Sequence, residues 1–236
     1  MTQAIAENGR HGSTHLLSGP MKSGRNPPSR DPRAAGPVGS VRIIGGRWRN
    51  TRLPVPDRPG LRPSSDRVRE TLFNWLMPKL AGARVLDAFA GSGALGLEAV
   101  SRGAAQAVLV ERDAGLADAL RQAVSRLGAG AQVRVEGTDA LAWLANAPAE
   151  PFDIVFLDPP FADGLWDAAL RALPRHLADD AWVYLESPRE QAPAVPPDWQ
   201  PHREGQTRDV RYALYRVPGG QGAATLRGDS HRPDSA

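Results

Sequence analysis

The chain of 236 residues contains no cysteine, which excludes disulfide bonds, thiolate zinc sites and cysteine nucleophiles. Long apolar runs are also missing, because no stretch approaches the roughly 18 residues that a membrane-spanning helix requires. The N-terminus has no apolar segment of the kind found in secretory signals. We therefore expect a cytoplasmic protein that does not enter a membrane.

Lysine is scarce as well, since Lys22 and Lys79 are the only two, and arginine supplies most of the positive charge. Residues 1–62 hold 11 basic and 3 acidic side chains, whereas the whole chain has a net charge of only +3. A basic N-terminal part on a mildly acidic remainder favours a polyanionic partner such as nucleic acid. A general preference for arginine in the chain explains the same composition without a partner.

The sequence divides into four parts. Residues 1–40 combine Gly, Ser, Pro and Arg without periodicity and predict a disordered basic extension. Residues 41–80 predict a β-hairpin and a helix that face RNA. Residues 81–217 predict the main domain, and residues 218–236 predict a disordered tail.

In the hairpin, residues 41–44 predict a strand, Gly45 and Gly46 a two-residue turn, and residues 47–49 the returning strand. The helix is predicted over residues 66–77. Ser64, Ser65 and Asp66 are its N-cap candidates, and the helix is expected to end before Pro78. Its apolar stripe has helical spacing. The stripe consists of Val68, Leu72 and Leu76, with Arg67, Arg69 and Glu70 outside it.

The main domain alternates predicted strands and helices. Strands are predicted at 84–88, 106–111, 133–136, 152–158 and 181–186, and helices at about 93–102, 114–127, 139–146 and 164–173. A weak alternating pattern near 199–204 and a clearer one at 210–216 predict an antiparallel hairpin at one edge of the sheet. This order predicts an α/β fold with a seven-stranded, mostly parallel, Rossmann-like sheet that is covered on both faces.

Residues 84–96 predict a buried strand, a tight glycine turn and the start of a helix. Gly91 and Gly93 allow a ligand to lie against the backbone, and the helix N-terminus offers free N–H groups. Asp87 ends the strand and points into the crevice where such sheets bind ligands. The spacing Gly91, Gly93, Gly96 also fits a dinucleotide fingerprint.

Two further acidic residues follow predicted strands. Glu111 comes 24 positions after Asp87 and could accept both ribose hydroxyls of an adenosine. Asp139 opens the next helix, where it could accept from an adenine amino group, cap the helix, or do both. These positions favour a nucleoside ligand.

Residues 158–161, Asp-Pro-Pro-Phe, are the most specific signal. They follow an apolar strand, so they emerge at the same sheet edge as Gly91. The two prolines withhold N–H groups and leave their carbonyls outward as acceptors without a competing turn. With the Asp158 carboxylate, these acceptors suit a planar NH₂ group, and Phe161 can stack on the attached ring.

These motifs resemble the S-adenosylmethionine-dependent amino-methyltransferases of class I. Residues 62–76 (RPSSDRVRETLFNWL), preceded by residues 45–48 (GGRW), are close to the RsmD family. The resemblance runs from about residue 41 to residue 216 and implies methylation of the N2 amine of a guanine in 16S rRNA, of the guanine-966 type. Ser64 and Ser65 stand where threonine is common, and the N-terminal extension has no obvious counterpart.

The resemblance also implies a division of roles. S-adenosyl-L-methionine would be held by Asp87, Phe89, Gly91, Gly93, Glu111, Arg112, Asp139 and Ala140. The target guanine would be held by Asp158, Pro159, Pro160 and Phe161. RNA would contact Arg42, Arg47, Trp48, Arg49, Arg62 and Arg67, where guanidinium groups bind phosphate and the ring stacks on a base. Trp48 could instead cover the edge of the main domain.

The expected partner is 16S rRNA within an assembling 30S subunit, bound by a monomer. Three alternatives stay open at this point. An adenine-N6 or cytosine-N4 amino-methyltransferase uses a similar tetrapeptide, although the chain has no room for a separate DNA-recognition domain. An NAD-dependent oxidoreductase would use the glycine turn but lacks a convincing proton donor. A ribosome-assembly factor without activity would have no need of the intact residues 158–161.

Overall fold

The computed structural model describes residues 39–55 and 65–218, which form nine strands and five α-helices. The strands are β1 (Gly39–Arg42), β2 (Arg52–Val55), β3 (Arg84–Asp87), β4 (Gln106–Val110), β5 (Val133–Glu136), β6 (Phe152–Leu157), β7 (Leu177–Pro188), β8 (Gln200–Gln206) and β9 (Val210–Val217). The helices are α1 (Asp66–Leu80), α2 (Ala94–Ser101), α3 (Ala114–Arg126), α4 (Ala140–Asn146) and α5 (Trp166–Ala172).

Seven strands form one sheet in the order β5-β4-β3-β6-β7-β9-β8. The five strands from β5 to β7 are parallel, and β9 and β8 add an antiparallel hairpin at the edge. The α/β fold with a seven-stranded, mostly parallel sheet is therefore confirmed. The last strand of the described residues, β9, is the inner member of the edge hairpin.

The central strands are apolar on both faces because helices cover both sides of the sheet. One face carries Val85, Ile154 and Phe156 and packs against α1, α2 and α3. The other carries Leu86 and Val155 and packs against α4 and α5. Within the two described ranges, no helix has the length and apolar character needed to cross a bilayer.

The predicted ends of the chain lie almost entirely outside the described residues. Gly39 and Ser40, the last residues of the predicted extension, belong to β1. Residues 41–55 and α1 share a hydrophobic core with the sheet, through Ile43 and Leu53 among others. The division between residues 80 and 81 stays a prediction.

The N-terminal hairpin exists, but its predicted returning strand was wrong. β1 pairs with β2, with Arg42 opposite Arg52, and residues 47–49 lie in the loop between them. Gly46 does not make a two-residue turn. It has φ of +76°, and a Cβ there would lie 1.9 Å from the Ser101 carbonyl oxygen, so glycine allows the loop to approach α2.

The backbone N–H groups of the loop donate hydrogen bonds to Ser101 of α2, which explains why the loop does not continue as a strand. The Arg47 N–H donates to the Ser101 carbonyl at 2.8 Å, and the Trp48 N–H donates to Ser101 Oγ at 2.9 Å. These donors would otherwise be available to a strand partner.

Helix α1 also differs from its prediction in two respects. Ser65 caps it, its side chain accepting from the Val68 N–H, but the helix continues through Pro78 to Leu80. The apolar stripe continues to Leu80, whose burial favours the extra turn. Arg69, predicted to lie outside the buried stripe, is fully buried.

Arg69 is buried because it pairs with Glu98 of α2. Its Nη1 lies 2.9 Å from Glu98 Oε2, and its Nη2 donates to the Arg42 carbonyl at 2.8 Å. Glu98, itself fully buried, also accepts from the Arg102 guanidinium at 2.7 Å and from the Gly45 N–H at 3.1 Å. One carboxylate thus connects the hairpin loop, α1 and α2.

Replacing Glu98 should therefore destabilise the fold strongly. We expect Glu98→Gln to lower the free energy of unfolding by about 3–5 kcal/mol, because the buried Arg69 guanidinium would keep only the half-exposed Asp66, 2.7 Å from its Nη2, as a counter-charge. Urea unfolding measures the change, with Glu70→Gln on the exposed side of α1 as the matched control, expected within about 0.5 kcal/mol of the parent. A loss for Glu98→Gln no larger than the control's would contradict this role.

Candidate active site

Four adjacent strands, in the order β4-β3-β6-β7, each carry an acidic residue at the carboxyl end. Asp87 ends β3, Glu111 and Asp158 follow β4 and β6, and Glu186 lies near the end of β7. Since paired residues of parallel strands share a face, the register places all four on the face covered by α1, α2 and α3. The crevice beyond these strand ends is the candidate site.

Asp87 and the glycine turn form the first half of the site. Gly93 precedes α2 with φ of +72°, a backbone conformation that favours glycine, and Asp87 Oδ2 accepts from the Gly96 N–H at 2.9 Å. Burial raises the pKa of Asp87 to about 7, with a further increase from the Glu111 charge and an opposing effect of the Gly96 hydrogen bond. Phe89 is half-buried beside the turn.

Glu111 fixes the glycine turn to the next strand. Its carboxylate accepts from the Gly91 N–H and from the Asp113 N–H, each at 2.8 Å. Its role in binding a ribose stays a prediction. Asp139 caps α4 by accepting from the Ala142 N–H at 2.9 Å, so the capping interpretation is confirmed, and Ala140 is buried behind it.

An ion pair crosses the crevice between the loops that follow β4 and β6. Arg112 Nη2 lies 2.9 Å from Asp163 Oδ2, and both side chains are partly exposed. Because β3 lies between β4 and β6 in the sheet, this pair links the loops on either side of the glycine turn. Arg112 is therefore at the expected edge of the sheet.

The tetrapeptide 158–161 forms the second half of the site, directly after β6. The pKa of Asp158 is raised well above its usual range by burial, and further by the charges of Glu186 and Asp87. Pro159 is buried and Phe161 is half-buried, with the Phe161 ring 5.7 Å from the Trp166 ring. The structure thus brings the tetrapeptide to the same edge as Asp87 and Gly91.

One expectation for the tetrapeptide was wrong. The Pro160 carbonyl accepts from the Asp163 N–H at 3.1 Å and begins a short 3₁₀ helix, Phe161–Asp163. The Pro160 carbonyl is therefore used in a local turn. Of the acceptors expected to face outward, the Asp158 carboxylate and the Pro159 carbonyl remain.

Glu186 is a site residue that the sequence analysis missed. It is 5% exposed, its Oε1 accepts from the Tyr184 hydroxyl at 2.7 Å, and its carbonyl accepts from the Trp166 indole at 2.7 Å. A signal was available, because Glu186 ends the predicted strand 181–186 as Asp87 ends its own strand.

The predicted RNA-binding residues surround the hairpin and the start of α1. Arg42 pairs with Asp66 at 3.0 Å, and the Arg47 guanidinium lies 4.2 Å from the Trp48 ring centroid and contacts Gln132. Arg49 and Arg67 are exposed, whereas Arg62 lies outside the described residues. Trp48 is partly buried against the core, so it does cover the edge of the domain, and its contact with RNA stays a prediction.

The hairpin also lies beside the glycine turn. A small cavity between them is lined by Leu53 and Pro54 of β2 and by Gly91 and Ser92 of the turn. Val41 and Val55 pack on Ala94 at the start of α2. Arginines on the hairpin are thereby carried by a unit that is in contact with the first half of the site.

The carboxylates of the first half of the site fit a nucleoside sulfonium ligand better than a metal ion. Asp87, Glu111 and Asp139 lie at or just after the ends of three neighbouring strands, β3, β4 and β5, and provide hydrogen-bond acceptors along one edge of the sheet. Such a row suits an amine, two ribose hydroxyls and an adenine amino group. In the part of the chain that the structure describes, no group of three or more His, Asp or Glu side chains could hold a metal ion.

A family model described as "Conserved hypothetical protein 95" matches residues 41–216. The ribosomal RNA small subunit methyltransferase D of Escherichia coli K12 is 50% identical over 181 residues, which cover 75% of this chain and 90% of that protein. The methyltransferase D of Haemophilus influenzae is 41% identical over 182 residues, which cover 75% and 94% of the two chains.

Two solved structures that resemble this chain are also methyltransferases. The methyltransferase yhhF from Escherichia coli superposes with a TM-score of 0.70 at 47% identity, covering 76% of this chain and 99% of that one. An RNA methyltransferase from Salinibacter ruber, solved with S-adenosyl-L-homocysteine, has a TM-score of 0.50 at 16% identity and covers 66% and 94%. The latter likeness shows a shared fold.

The raised pKa of Asp87 predicts a pH-dependent stability. An acid with a folded pKa of about 7 and an ordinary value of 3.8 makes the protein less stable as the pH rises between them, by roughly 1.4 kcal/mol per pH unit. We expect Asp87→Asn to reduce this slope in urea unfolding at pH 5, 6 and 7. Part of the slope should remain, because Asp158 titrates in the same direction.

The matched control is Asp118→Asn, an exposed side chain on α3. It should leave the slope unchanged. Equal slopes for the parent and Asp87→Asn would show that Asp87 is not the buried titrating group.

Proposed function

Because this chain belongs to the ribosomal RNA small subunit methyltransferase D family, we propose that it methylates the exocyclic N2 amine of a guanine in 16S rRNA, at a position of the guanine-966 type. The methyl donor is S-adenosyl-L-methionine. The family and the names of its members support an rRNA methyltransferase, and the guanine and its N2 atom are the finer part of the proposal.

The observation that carries the finer part is the position of Asp158. It stands at the carboxyl edge, beside the strand that carries Asp87 and the glycine turn, with its carboxylate and the Pro159 carbonyl as acceptors. Two acceptors side by side suit the two hydrogens of an sp² NH₂ group. The half-buried Phe161 ring offers a surface on which the flat base can stack.

Asp87, Glu111 and Asp139 would hold the donor, whose sulfonium carries an electrophilic methyl group. Asp158 and Pro159 would fix the N2 atom so that its electron pair faces that methyl carbon, which is catalysis by orientation. When bound, the donor would supply the methyl group, so that the N2–C bond would form as the C–S bond breaks with its electron pair left on sulfur. The methylated amine would carry the positive charge and would lose its proton to Asp158 or to water.

The target base must leave its stack to enter the crevice, which costs a few kcal/mol. Arginine–phosphate contacts on the hairpin and on α1 would offset this cost. Arg49 and Arg67 are exposed and suitable for such contacts. We propose that the substrate is rRNA in an assembling 30S subunit, that the enzyme is a cytoplasmic monomer, and that Arg42, Arg47, Trp48 and Arg62 belong to the same RNA surface.

The dinucleotide alternative is not supported, because the relatives are methyltransferases. An adenine or cytosine amine as the target is an outcome of the experiment that identifies the product. Nucleoside mass spectrometry of 16S rRNA from a strain that lacks the gene, before and after treatment with the enzyme and labelled donor, should show N2-methylguanosine. Methyladenosine or N4-methylcytidine instead would contradict the assignment.

Asp158→Ala should lower methyl transfer at least 10²-fold, because the N2 atom loses its side-chain acceptor. The affinity for S-adenosyl-L-homocysteine, measured by calorimetry, should stay within about threefold. Asp167→Asn, an exposed carboxylate at the start of α5, is the control and should retain full activity. Normal turnover by Asp158→Ala would refute the assigned role.

The RNA surface predicts a change in salt dependence. Arg49→Ala and Arg67→Ala should each reduce the slope of log K against log salt concentration by about 0.7–0.9, as expected for one lost phosphate contact. Filter binding of a 16S rRNA fragment at several salt concentrations measures the slope. Arg171→Ala, on the helix that covers the opposite face of the sheet, should leave it unchanged. Unchanged slopes for both hairpin-side variants would place the RNA elsewhere.

A further inference from the structure

We infer that Glu186 selects guanine by accepting a hydrogen bond from the N1–H of the target base, next to the N2 amine held by Asp158. This inference rests on the proposed function and deepens it. It assigns the choice of base to a residue outside the tetrapeptide.

The first support is the position of Glu186 relative to Asp158. The register pairs Leu157 with Leu185, so the next residues, Asp158 and Glu186, are neighbours across β6 and β7. Parallel strands lie about 4.8 Å apart, and paired residues project from the same face. Two carboxylates therefore stand side by side at the mouth of the crevice.

The second support is how firmly Glu186 is held. The Tyr184 hydroxyl donates to Oε1, and the Trp166 indole donates to the carbonyl of the same residue, both at 2.7 Å. Tyr184 is fully buried and packs edge-on against Phe156, with ring centroids 6.2 Å apart. Phe161 contacts the Trp166 ring, so the same indole links Glu186 to the tetrapeptide.

The third support is the cost of this arrangement. Two adjacent buried carboxylates disfavour each other's ionised form, which is why the Glu186 charge raises the pKa of Asp158. A ligand that presents a row of N–H donors to the two carboxylates reduces this cost. An apolar side chain at position 186 could pack at the end of β7 without this electrostatic cost.

Guanine presents such a row. Its Watson–Crick edge carries the N1–H and the N2 amine side by side, whereas adenine and cytosine place a ring nitrogen acceptor next to their amines. Glu186 would then face a ring acceptor where guanine offers a donor, and two acceptors in contact in a buried site are strongly unfavourable. Glu186 would thus reject adenine and cytosine, although the tetrapeptide alone would accept their NH₂ groups.

The test uses an analogue that keeps the methylated amine and removes the N1–H. Synthetic 16S rRNA fragments would carry guanine or 2-aminopurine at the mapped target position. The fragments would be used alone or assembled with ribosomal proteins, whichever form the enzyme methylates. The parent enzyme should prefer guanine by at least about 10²-fold in kcat/KM, because 2-aminopurine has an acceptor at N1. Glu186→Gln should reduce this preference to within about 10-fold, since its amide can donate to that acceptor.

Two further variants keep the test decisive. Tyr184→Phe removes the hydroxyl that holds Glu186 and should reduce the preference by a smaller factor. Glu190→Gln, an exposed carboxylate just after β7, should leave it unchanged. Calorimetry with S-adenosyl-L-homocysteine should confirm that each variant is folded.

The outcomes separate the inference from the proposed function. If the parent methylates guanine but treats 2-aminopurine equally well, the inference is overturned and the proposed function stands. The same holds if Glu186→Gln lowers both rates in proportion, as a structural role would. If the parent methylates no guanine in 16S rRNA, the proposed function itself fails.

Discussion

The parallel register of β3, β6 and β7 is the constraint on which the site depends. It places Phe156 beside both Asp87 and Tyr184, and two residues further it places Asp158 beside Glu186. A shift of one residue in either pairing would turn these carboxylates to opposite faces of the sheet. The apolar residues that precede the carboxylates on these strands are buried on both faces of the sheet. By fixing the register, they determine the positions of the carboxylates as well as the packing of the core.

A second constraint ties the RNA-facing part to this edge. Glu98 lies on the helix that follows the glycine turn, and it holds Arg69 of α1 and the Gly45 N–H of the hairpin loop. The arginines that would bind phosphate are thereby attached to the helix whose start forms the first half of the site. If RNA binds there, its recognition and the position of the methyl donor would be coupled through the buried Arg69–Glu98 ion pair.

Much of this architecture was predictable from the sequence, because the strands are continuous apolar runs and the turns contain glycine. The returning strand of the hairpin was not, since the interaction that displaces it is with Ser101, far along the chain. The burial of Arg69, which lies outside the apolar stripe of its helix, was not predictable because the pattern of apolar residues does not reveal a partner such as Glu98. Pro160 was misjudged because the turn to Asp163 depends on the local path of the backbone. Glu186 ends a predicted strand, but its position beside Asp158 follows only from the register of β6 and β7.

The most direct measurement is a crystal structure of the enzyme with S-adenosyl-L-homocysteine and an RNA that contains the target guanine. The account predicts that the sulfur and the guanine N2 face each other between the glycine turn and the tetrapeptide, with N2 bonded to Asp158 and N1 to Glu186. A base that presents another edge to Asp158, or a donor that lies away from Asp87 and Glu111, would contradict it.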